Sequence, residues 1–558
     1  MKAIKLLFCI PFLVFGFSFC QGQSWLWGRQ GDGGLKSINY GSNIATDKFG
    51  NAYSTGFFDI QMKFDTVTLT STQVQSYVVK YNSAGNLIWV KESVGIVGGV
   101  ALSASIASDT ADNIYITGYC TDYESFDSYN LSAPGIFLVK YNSSGNVLWV
   151  VEGIVNGHLP YGYAVNTSRE GNVYITGTFW DSLSFGPYNL GSPSEQDVYL
   201  AKYNSSGNLV WAKQGITPSS SSTAIGYAVS TDKYGNTYLT GAFKDTIIFG
   251  TFRLVTNSPS SVFLVKYDSN GNVIWAKQST GAGNATAYGL NLDEAGNIYI
   301  TGGFNGTSSF GSHVLNSNGI SIFLVKYGKN GNTIWANTST GGNWAGYSIS
   351  EESNNHIFLV GSGNGDSLVF ANKKIVSNNA EYAFLMELDT TGNMLCSSVL
   401  ENGACGSYNT NPKVGVASYS TPELDYVYLA STFTIDSVFC GPDTLIPVNS
   451  LDAPYIARWQ NCLVETTTIP LKSSPSPLSL FPNPSTGIFT IAFVGARNFV
   501  PATIEIYNVL GEKVYSQSTI HKSQFTIDIS NQPSGIYLYR VLNADGTLLG
   551  EGKAILLH

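Results

Sequence analysis

One short phrase returns along this chain and decides what it can fold into. It is a turn followed by a strand: Gly50-Asn-Ala-Tyr-Ser-Thr-Gly56, Asp112-Asn-Ile-Tyr-Ile-Thr-Gly118, Gly171-Asn-Val-Tyr-Ile-Thr-Gly177, Gly235-Asn-Thr-Tyr-Leu-Thr-Gly241 and Gly296-Asn-Ile-Tyr-Ile-Thr-Gly302. Two weaker copies, Asn355-His-Ile-Phe-Leu-Val-Gly361 and Asp425-Tyr-Val-Tyr-Leu-Ala-Ser431, bring the count to seven. After each comes a strand, a turn and a further strand, as in Phe137-Leu-Val-Lys-Tyr141 running to Trp149 and Phe263-Leu-Val-Lys-Tyr267 running to Trp275. The sixth copy, Phe384-Leu-Met-Glu-Leu388, has Cys396 near the Trp position, and the seventh is Tyr455-Ile-Ala-Arg-Trp459. Alternation such as Val-Tyr-Ile-Thr makes a strand with two unlike faces. Asn-Ser-Ser-Gly-Asn supplies residues that tolerate positive φ in hairpin turns.

A third recurring strand precedes the Gly-Asn turn, at Gly162-Tyr-Ala-Val-Asn166, Gly226-Tyr-Ala-Val-Ser230 and Gly346-Tyr-Ser-Ile-Ser350, so each unit holds about four strands. One such unit cannot bury both faces alone and must stack on others. Four-stranded sheets repeated radially make a β-propeller. The period, from Trp89 through Trp149, Trp211 and Trp275 to Trp335, is about 60 residues, with the surplus between the Thr-Gly and Phe-Leu-Val strands. The seventh unit ends at Trp459 without its last strand, whereas Trp25-Leu-Trp-Gly-Arg-Gln30 resembles Trp211-Ala-Lys-Gln and Trp275-Ala-Lys-Gln. The N-terminal strand is therefore expected to complete the last blade and remove its exposed edge. The expected fold is all-β, a seven-bladed β-propeller over 23–462 followed by a small antiparallel β-sandwich. The repeats resemble the SBBP-type β-propeller family, named for bacterial surface and secreted proteins. That resemblance implies no defined activity.

Residues 1–22 read as a secretory signal: Lys2 and Lys5 precede an apolar run too short to span a bilayer. No later segment is long and apolar enough to be a transmembrane span. The net charge of −9 and the absence of a basic stripe exclude nucleic acid as a partner. Export permits disulfides. Cys396–Cys405 and Cys440–Cys462 are the suggested pairs, with Cys120 left over, although sequence does not fix the connectivity.

Residues 463–477 read as a linker, with Thr466-Thr-Thr and Pro475-Ser-Pro. Beyond it, 478–558 carry strands at 488–494, 502–508, 524–529 and 536–542. The marks Pro482-Asn483-Pro484-Ser-Thr-Gly487, Ile506-Tyr-Asn-Val-Leu-Gly511 and Pro533-Ser-Gly535-Ile-Tyr537 resemble the type A sorting domain of the type IX secretion system of Bacteroidota. This resemblance implies the type IX machinery as partner, passage across the outer membrane, removal of the domain and, often, attachment to surface lipopolysaccharide.

No catalytic constellation stands out. His158, His313 and His356 fall at different repeat phases, no nucleophile motif appears, and neither a metal nor another cofactor is expected. Asp47, Asp109, Asp232 and Asp293 recur before the turn. Paired acids would suit glycoside cleavage, but a repeated Asx turn is the preferred reading. Asp268-Ser-Asn-Gly-Asn272 is likewise read as a hairpin turn rather than a calcium loop. Trp89, Trp149, Trp211, Trp275 and Trp335 read as packing anchors. Asp65-Thr-Val, Asp181-Ser-Leu, Asp245-Thr-Ile, Asp366-Ser-Leu, Asp436-Ser-Val and Asp443-Thr-Leu resemble a Bacteroidota O-glycosylation motif, with turn chemistry as the competing account. Tyr163, Tyr227, Tyr288 and Tyr347 share one phase, where Ser42 and Ala104 stand in two other units. These four tyrosines are the candidate ligand-binding residues, since a phenol offers an apolar face and a polar tip; packing between blades is the alternative. The leading expectation is a non-catalytic surface or secreted protein for binding, adhesion or scaffolding, with glycans or surface proteins as partners. The competing one is a propeller hydrolase or lyase acting on polysaccharide.

Overall fold

The computed structural model describes residues 24–33, 39–95, 99–155, 157–193, 196–351, 356–365, 367–376, 381–401, 415–420, 425–434, 438–440, 443–445, 452–460, 478–481, 485–493, 502–508, 512–520, 524–543 and 548–557. The expected signal region 1–22 and the expected linker 463–477 lie outside them. The described chain is strand and turn throughout, and it divides into two units, Met1–Cys462 and Leu463–His558.

In the first unit the repeat becomes seven antiparallel meanders of four strands. Their innermost strands are Asn39–Thr46, Ala101–Ser108, Tyr161–Thr167, Thr223–Thr231, Ala285–Leu292, Asn343–Glu351 and Gly415–Ser420. Each packs against the next, and the seventh packs against the first, so they close a ring. The seventh meander draws its outermost strand, Ser24–Gln30, from the start of the chain; it pairs antiparallel with Asp452–Gln460. Apolar clusters lie between neighbouring meanders, such as Val198 and Leu200 of the third with Leu239, Phe263 and Val265 of the fourth.

The recurring Trp and Lys have a common purpose. Trp89 Nε1 and Lys80 Nζ both donate to Ser143 O, at 3.2 and 3.0 Å, in the hairpin turn of the next meander. Trp149 and Lys140 do the same to Ser205 O, and Trp211 and Lys202 to Ser269 O. The indole also covers the turn glycine: a Cβ on Gly145 (φ +82°) would lie 2.9 Å from the Trp89 ring. Glycine is thus required twice over, by its φ and by its neighbour. The seventh meander uses the same latch to grip the first. Trp27 Nε1 donates to Ser83 O at 3.1 Å, Arg458 replaces the Lys on that carbonyl, and Trp27 covers Gly85.

The sixth meander is the exception. The seventh has no hairpin turn here, because its last two strands come from opposite ends of the unit. Glu387 accordingly replaces the Lys and Cys396 the Trp. Glu387 accepts from Cys396 Sγ at 2.8 Å and pairs with His356 at 2.7 Å. Cys396 and buried Cys120 are free thiols. Cys405, Cys462 and the side chain of Cys440 are outside the described residues.

The surplus length of each repeat forms an outer hairpin that makes a second latch. Ser182–Phe185 of the third meander pairs with the end of Val147–Val155 of the second. Ser367–Phe370 of the sixth pairs with Thr333–Thr340 of the fifth, and Gln61–Phe64 of the first with Asp32–Gly33. Asp181 and Asp245 enter their hairpins at φ 54° and 65°, and Asp65 sits in its hairpin turn at 52°. These are conformations that Asp tolerates, so turn chemistry accounts for all three. Asp366 and Asp436 lie outside the described residues.

In the second hairpin, Glu124 is buried and neither carboxylate oxygen meets a hydrogen-bond donor. Ser93 is close, but its hydroxyl is donated to Gln75 Oε1 at 2.8 Å. Burial pushes the Glu124 carboxyl up to about 7, with the charge of Asp122 adding to the effect.

In the second unit, Leu478–Phe481, Ile488–Phe493 and Gln524–Asp528 form one sheet. Lys513–Ile520, Ala502–Asn508, Gly535–Asn543 and Leu548–Leu556 form the other. A shared core includes Phe489, Ile491, Ile506, Ile527 and Val541.

Two measurements test these assignments. Trp27→Ala is expected to cost about 3–5 kcal/mol in denaturant unfolding; a loss below about 1 kcal/mol would remove Trp27 from the ring closure. Burial favours the neutral form of Glu124, so its contribution is full below the ordinary carboxylate range and fades as pH rises through about 7. Glu124→Gln should therefore raise the melting temperature at pH 8 and leave it nearly unchanged at pH 5.

Candidate binding mouth of the central channel

The innermost strands do not pair evenly with their neighbours. In six meanders the register slips by one residue, between Gly41 and Asn43, Ser103 and Ser105, Gly162 and Ala164, Gly226 and Ala228, Ala287 and Gly289, and Gly346 and Ser348. The extra residue is Ser42, Ala104, Tyr163, Tyr227, Tyr288 or Tyr347. A β-bulge frees one residue from the ladder and re-aims its side chain. The Thr-Gly of the repeat is the counterpart of this bulge. A Cβ on Gly177 would lie 1.8 Å from Tyr161 O, and one on Gly241 1.9 Å from Ile225 O. Only glycine lets the carbonyl before the bulge come so close.

The four tyrosines are half-buried and form a continuous arc. Ring centroids are 5.4 Å apart for Tyr163–Tyr227, 5.2 Å for Tyr227–Tyr288 and 5.4 Å for Tyr288–Tyr347. Each ring thus packs on the next meander and lines the channel at once. Burial holds the phenols of Tyr227 and Tyr288 above their ordinary value, so both are protonated at neutral pH.

Below the arc is a cavity of about 370 Å³ lined by all seven inner strands. Its walls are Ser, Thr, Asn, Ala, Gly, Tyr and aliphatic side chains; no Asp, Glu, Lys, Arg, His or Cys is among the described lining residues. At the far end, hydroxyls bridge adjacent inner strands: Thr46 Oγ1 donates to Ser418 O, Ser108 Oγ to Thr46 O and Thr167 Oγ1 to Ser108 O, at 2.6–2.9 Å.

The recurring aspartates are committed to their own turns. Asp47 Oδ1 accepts from the backbone of Phe49 and Asn51, and Oδ2 from Asn51 Nδ2 and Tyr53 Oη, at 2.7–3.0 Å. Asp109, Asp232 and Asp293 each accept from the Asn and the Tyr of the same signature. Asp268 caps its hairpin through Asn270 and Asn272. His158 is exposed beside Asp181, and His356 faces Glu387; neither lines the channel. Among the described residues no cluster of His, Cys, Asp and Glu could hold a metal ion.

Three aromatic residues escaped the sequence reading. Tyr161 stacks on Tyr163 at 5.7 Å and 6°, and Tyr161 in turn meets Tyr119 at 4.6 Å and Trp180 at 5.7 Å. Their signal is a departure from the repeat, since no other meander has aromatics at both the Tyr161 and Trp180 phases.

Of the sorting-signal residues, Gly487 and Gly535 are described; Pro482, Asn483, Pro484 and Gly511 are not. Gly487 has φ +109°, and a Cβ there would lie 2.3 Å from Ser530 Cα. A Cβ on Gly535 would make only ordinary contacts, with Pro533 O at 3.9 Å and the Tyr537 ring at 4.0 Å.

Residues 479–551 match the secretion system C-terminal sorting domain family. The protein is therefore exported through the type IX secretion system, to the cell surface or beyond it, and its tail engages that machinery. Over 335 residues the chain is 27% identical to an uncharacterized WD repeat-containing protein of Acanthamoeba polyphaga mimivirus, covering 47% of this chain and 24% of the viral protein. Among solved structures it is similar to a fungal alcohol oxidase of the AA5 family in complex with copper, with TM-score 0.34, 12% identity and coverage of 95% of this chain and 100% of the other. It is also similar to a subtype N11 neuraminidase-like protein of the flat-faced bat strain H18N11, with TM-score 0.30, 9% identity and coverage of 80% and 92%.

Tyr288 touches a ring on either side, and each such pair is worth about 0.5–1.5 kcal/mol. Tyr288→Ala should therefore destabilise the ring by about 1–3 kcal/mol in denaturant unfolding. A neutral result would show that the arc contributes nothing to packing.

Proposed function

We propose that residues 23–462 form a seven-bladed β-propeller of the SBBP type, which after export binds a neutral ligand at the aromatic mouth of its channel without transforming it. The blade count is supported by the seven meanders, their ring of inner strands and the latch carried from Trp27 back to the first meander. The observation that carries the binding role is a channel wall of tyrosines over uncharged hydroxyl and amide groups. Such a wall offers dispersion contacts and neutral hydrogen bonds, the usual means of a site that recognises without reacting. Cleavage of a polysaccharide would need two carboxylates flanking the scissile bond, and that reading draws no support from the channel. At the surface the role is adhesion or scaffolding, with lipopolysaccharide as the anchor and glycans or surface proteins as ligands.

Projection images of the purified protein should show seven radial lobes; six or eight would refute the blade count. For binding, the full chain is screened on a glycan array and against surface proteins. Any ligand captured should be lost on Tyr227→Ala, with the fold retained by circular dichroism. Retention of every ligand by that variant would move the site away from the mouth.

A further inference from the structure

Residues that hold the ring together recur in most meanders, as the Trp, the Lys and the turn glycine do. The aromatic residues at the mouth do not. The bulge residue is Tyr in the third to sixth meanders but Ser42 and Ala104 in the first two. Two residues earlier the distribution is reversed. The cross-strand pairs there are Tyr40–Phe57, Leu102–Tyr119 and Tyr161–Thr178 in the first three meanders. They are Ile225–Ala242, Thr286–Gly303 and Ala345–Ser362 in the next three. Aromatic surface thus leaves the channel rim at the third meander and turns outward.

The rings are joined along this path. Beyond the arc from Tyr347 to Tyr163, the 5.7 Å stack of Tyr163 on Tyr161 leads on to Trp180, also at 5.7 Å, with Tyr119 against the flank of Tyr161. Tyr119, Tyr161 and Trp180 are each half-buried, so each keeps exposed ring surface. Successive centroids on the track are 5.2–5.7 Å apart. A fold-stabilising role would repeat the same residue in each meander; a line of rings that crosses from one repeat phase to another fits a ligand that lies across them.

We infer that the mouth takes an uncharged, unbranched glycan several sugars long, lying from the inner tyrosines outward over Tyr161 to Trp180. This rests on the proposal that the mouth is the binding site, and adds the ligand class and the outer subsite. A pyranose presents a C–H face to an aromatic ring and a rim of hydroxyls to neighbouring polar groups. The evenly spaced rings supply the first, and groups on the channel wall such as the Ser105 hydroxyl and the Asn166 amide supply partners for the second. The uncharged wall selects against anionic glycans, whose carboxylates would lose hydration without a cationic partner.

The test is calorimetric titration of the full chain with neutral, unbranched gluco- and xylo-oligosaccharides of two, four and six units, beside a proline-rich peptide. The six-unit chain should bind about tenfold more tightly than the two-unit chain, as one or two further ring contacts imply. Trp180→Ala should erase that gain, while Trp180→Phe retains most of it. Tyr227→Ala should weaken both. Equal affinity for all lengths, or a Trp180→Ala variant that keeps the gain, overturns the outer subsite and leaves the mouth intact. Binding of the peptide in place of every neutral glycan, abolished by Tyr227→Ala, overturns the glycan class alone. If Tyr227→Ala changes nothing, the mouth itself is wrong.

Discussion

The ring depends on one backbone carbonyl per hairpin turn. That oxygen, Ser143 O, Ser205 O or Ser269 O, accepts an indole N–H and an ammonium from the preceding meander. The lysines are buried and burial lowers their pKa, which measures what it costs to place the charge there. Three features offset the cost, the first being nearby carboxylates: Asp47 Oδ2 lies 3.9 Å from Lys80 Nζ, and the charges of Asp47 and Asp109 favour the ammonium forms of Lys80 and Lys140. The hydrogen bond is charge-assisted, worth about 1.5–3 kcal/mol, and the ammonium lies over a tyrosine face, at 4.8 Å for Lys80 over Tyr53 and 5.1 Å for Lys140 over Tyr115. The carbonyl can accept both donors because the turn glycine leaves room for the indole to descend on it. Remove the glycine, and Trp and Lys lose their common acceptor together. The latch is directional and runs from one meander to the next except at the sixth, where Glu387 and Cys396 stand in place of its Lys and Trp. Trp27 and Arg458 close it on Ser83.

A second glycine makes the site possible. The one after Thr in the repeat admits the carbonyl that precedes each bulge, and the bulge hands one residue per meander to the channel mouth. The fold fixes that position in space but leaves its side chain almost free. Ser42, Ala104 and four tyrosines all stand there on the same backbone. The seventh meander pairs evenly over Gly415–Ser420, and its Ser431 stands where the others have glycine. Backbone demand and side-chain choice are thereby separated within a single motif.

Much of this was legible in the sequence, and the boundary is physical. Phrases such as Asn-Ile-Tyr-Ile-Thr-Gly announce strands and turns through alternation and glycine, and Trp25-Leu-Trp-Gly-Arg-Gln reads as a missing last strand because its neighbours in phase are known. Tyr163, Tyr227, Tyr288 and Tyr347 were found by phase alone. The bulge that aims them was not, because inserting one residue into a ladder leaves the strand pattern on either side intact. The outer hairpins read only as surplus length, since their use lies in pairing with a different meander. Tyr119, Tyr161 and Trp180 went unseen for the opposite reason: repeat comparison rewards what recurs, and these do not.

That last point bears on how a repeat ring acquires specificity. Identical meanders would give a mouth of sevenfold symmetry, which suits a round or symmetric ligand. Here the inner aromatics occupy the third to sixth positions and the outer ones the first to third, so the symmetry is broken along one diagonal path. Among the described lining residues the wall beneath stays uncharged on all seven inner strands, and the polar atoms it offers are short hydroxyls and amides held by the strands. A wall of this kind supplies orientation by shape and hydrogen bonding, without attraction from a distance. For the ligand proposed above, affinity would then grow with the number of rings covered. An extended polymer with a repeating apolar face covers more rings as it lengthens, and the path from Tyr347 to Trp180 gives it a direction in which to do so.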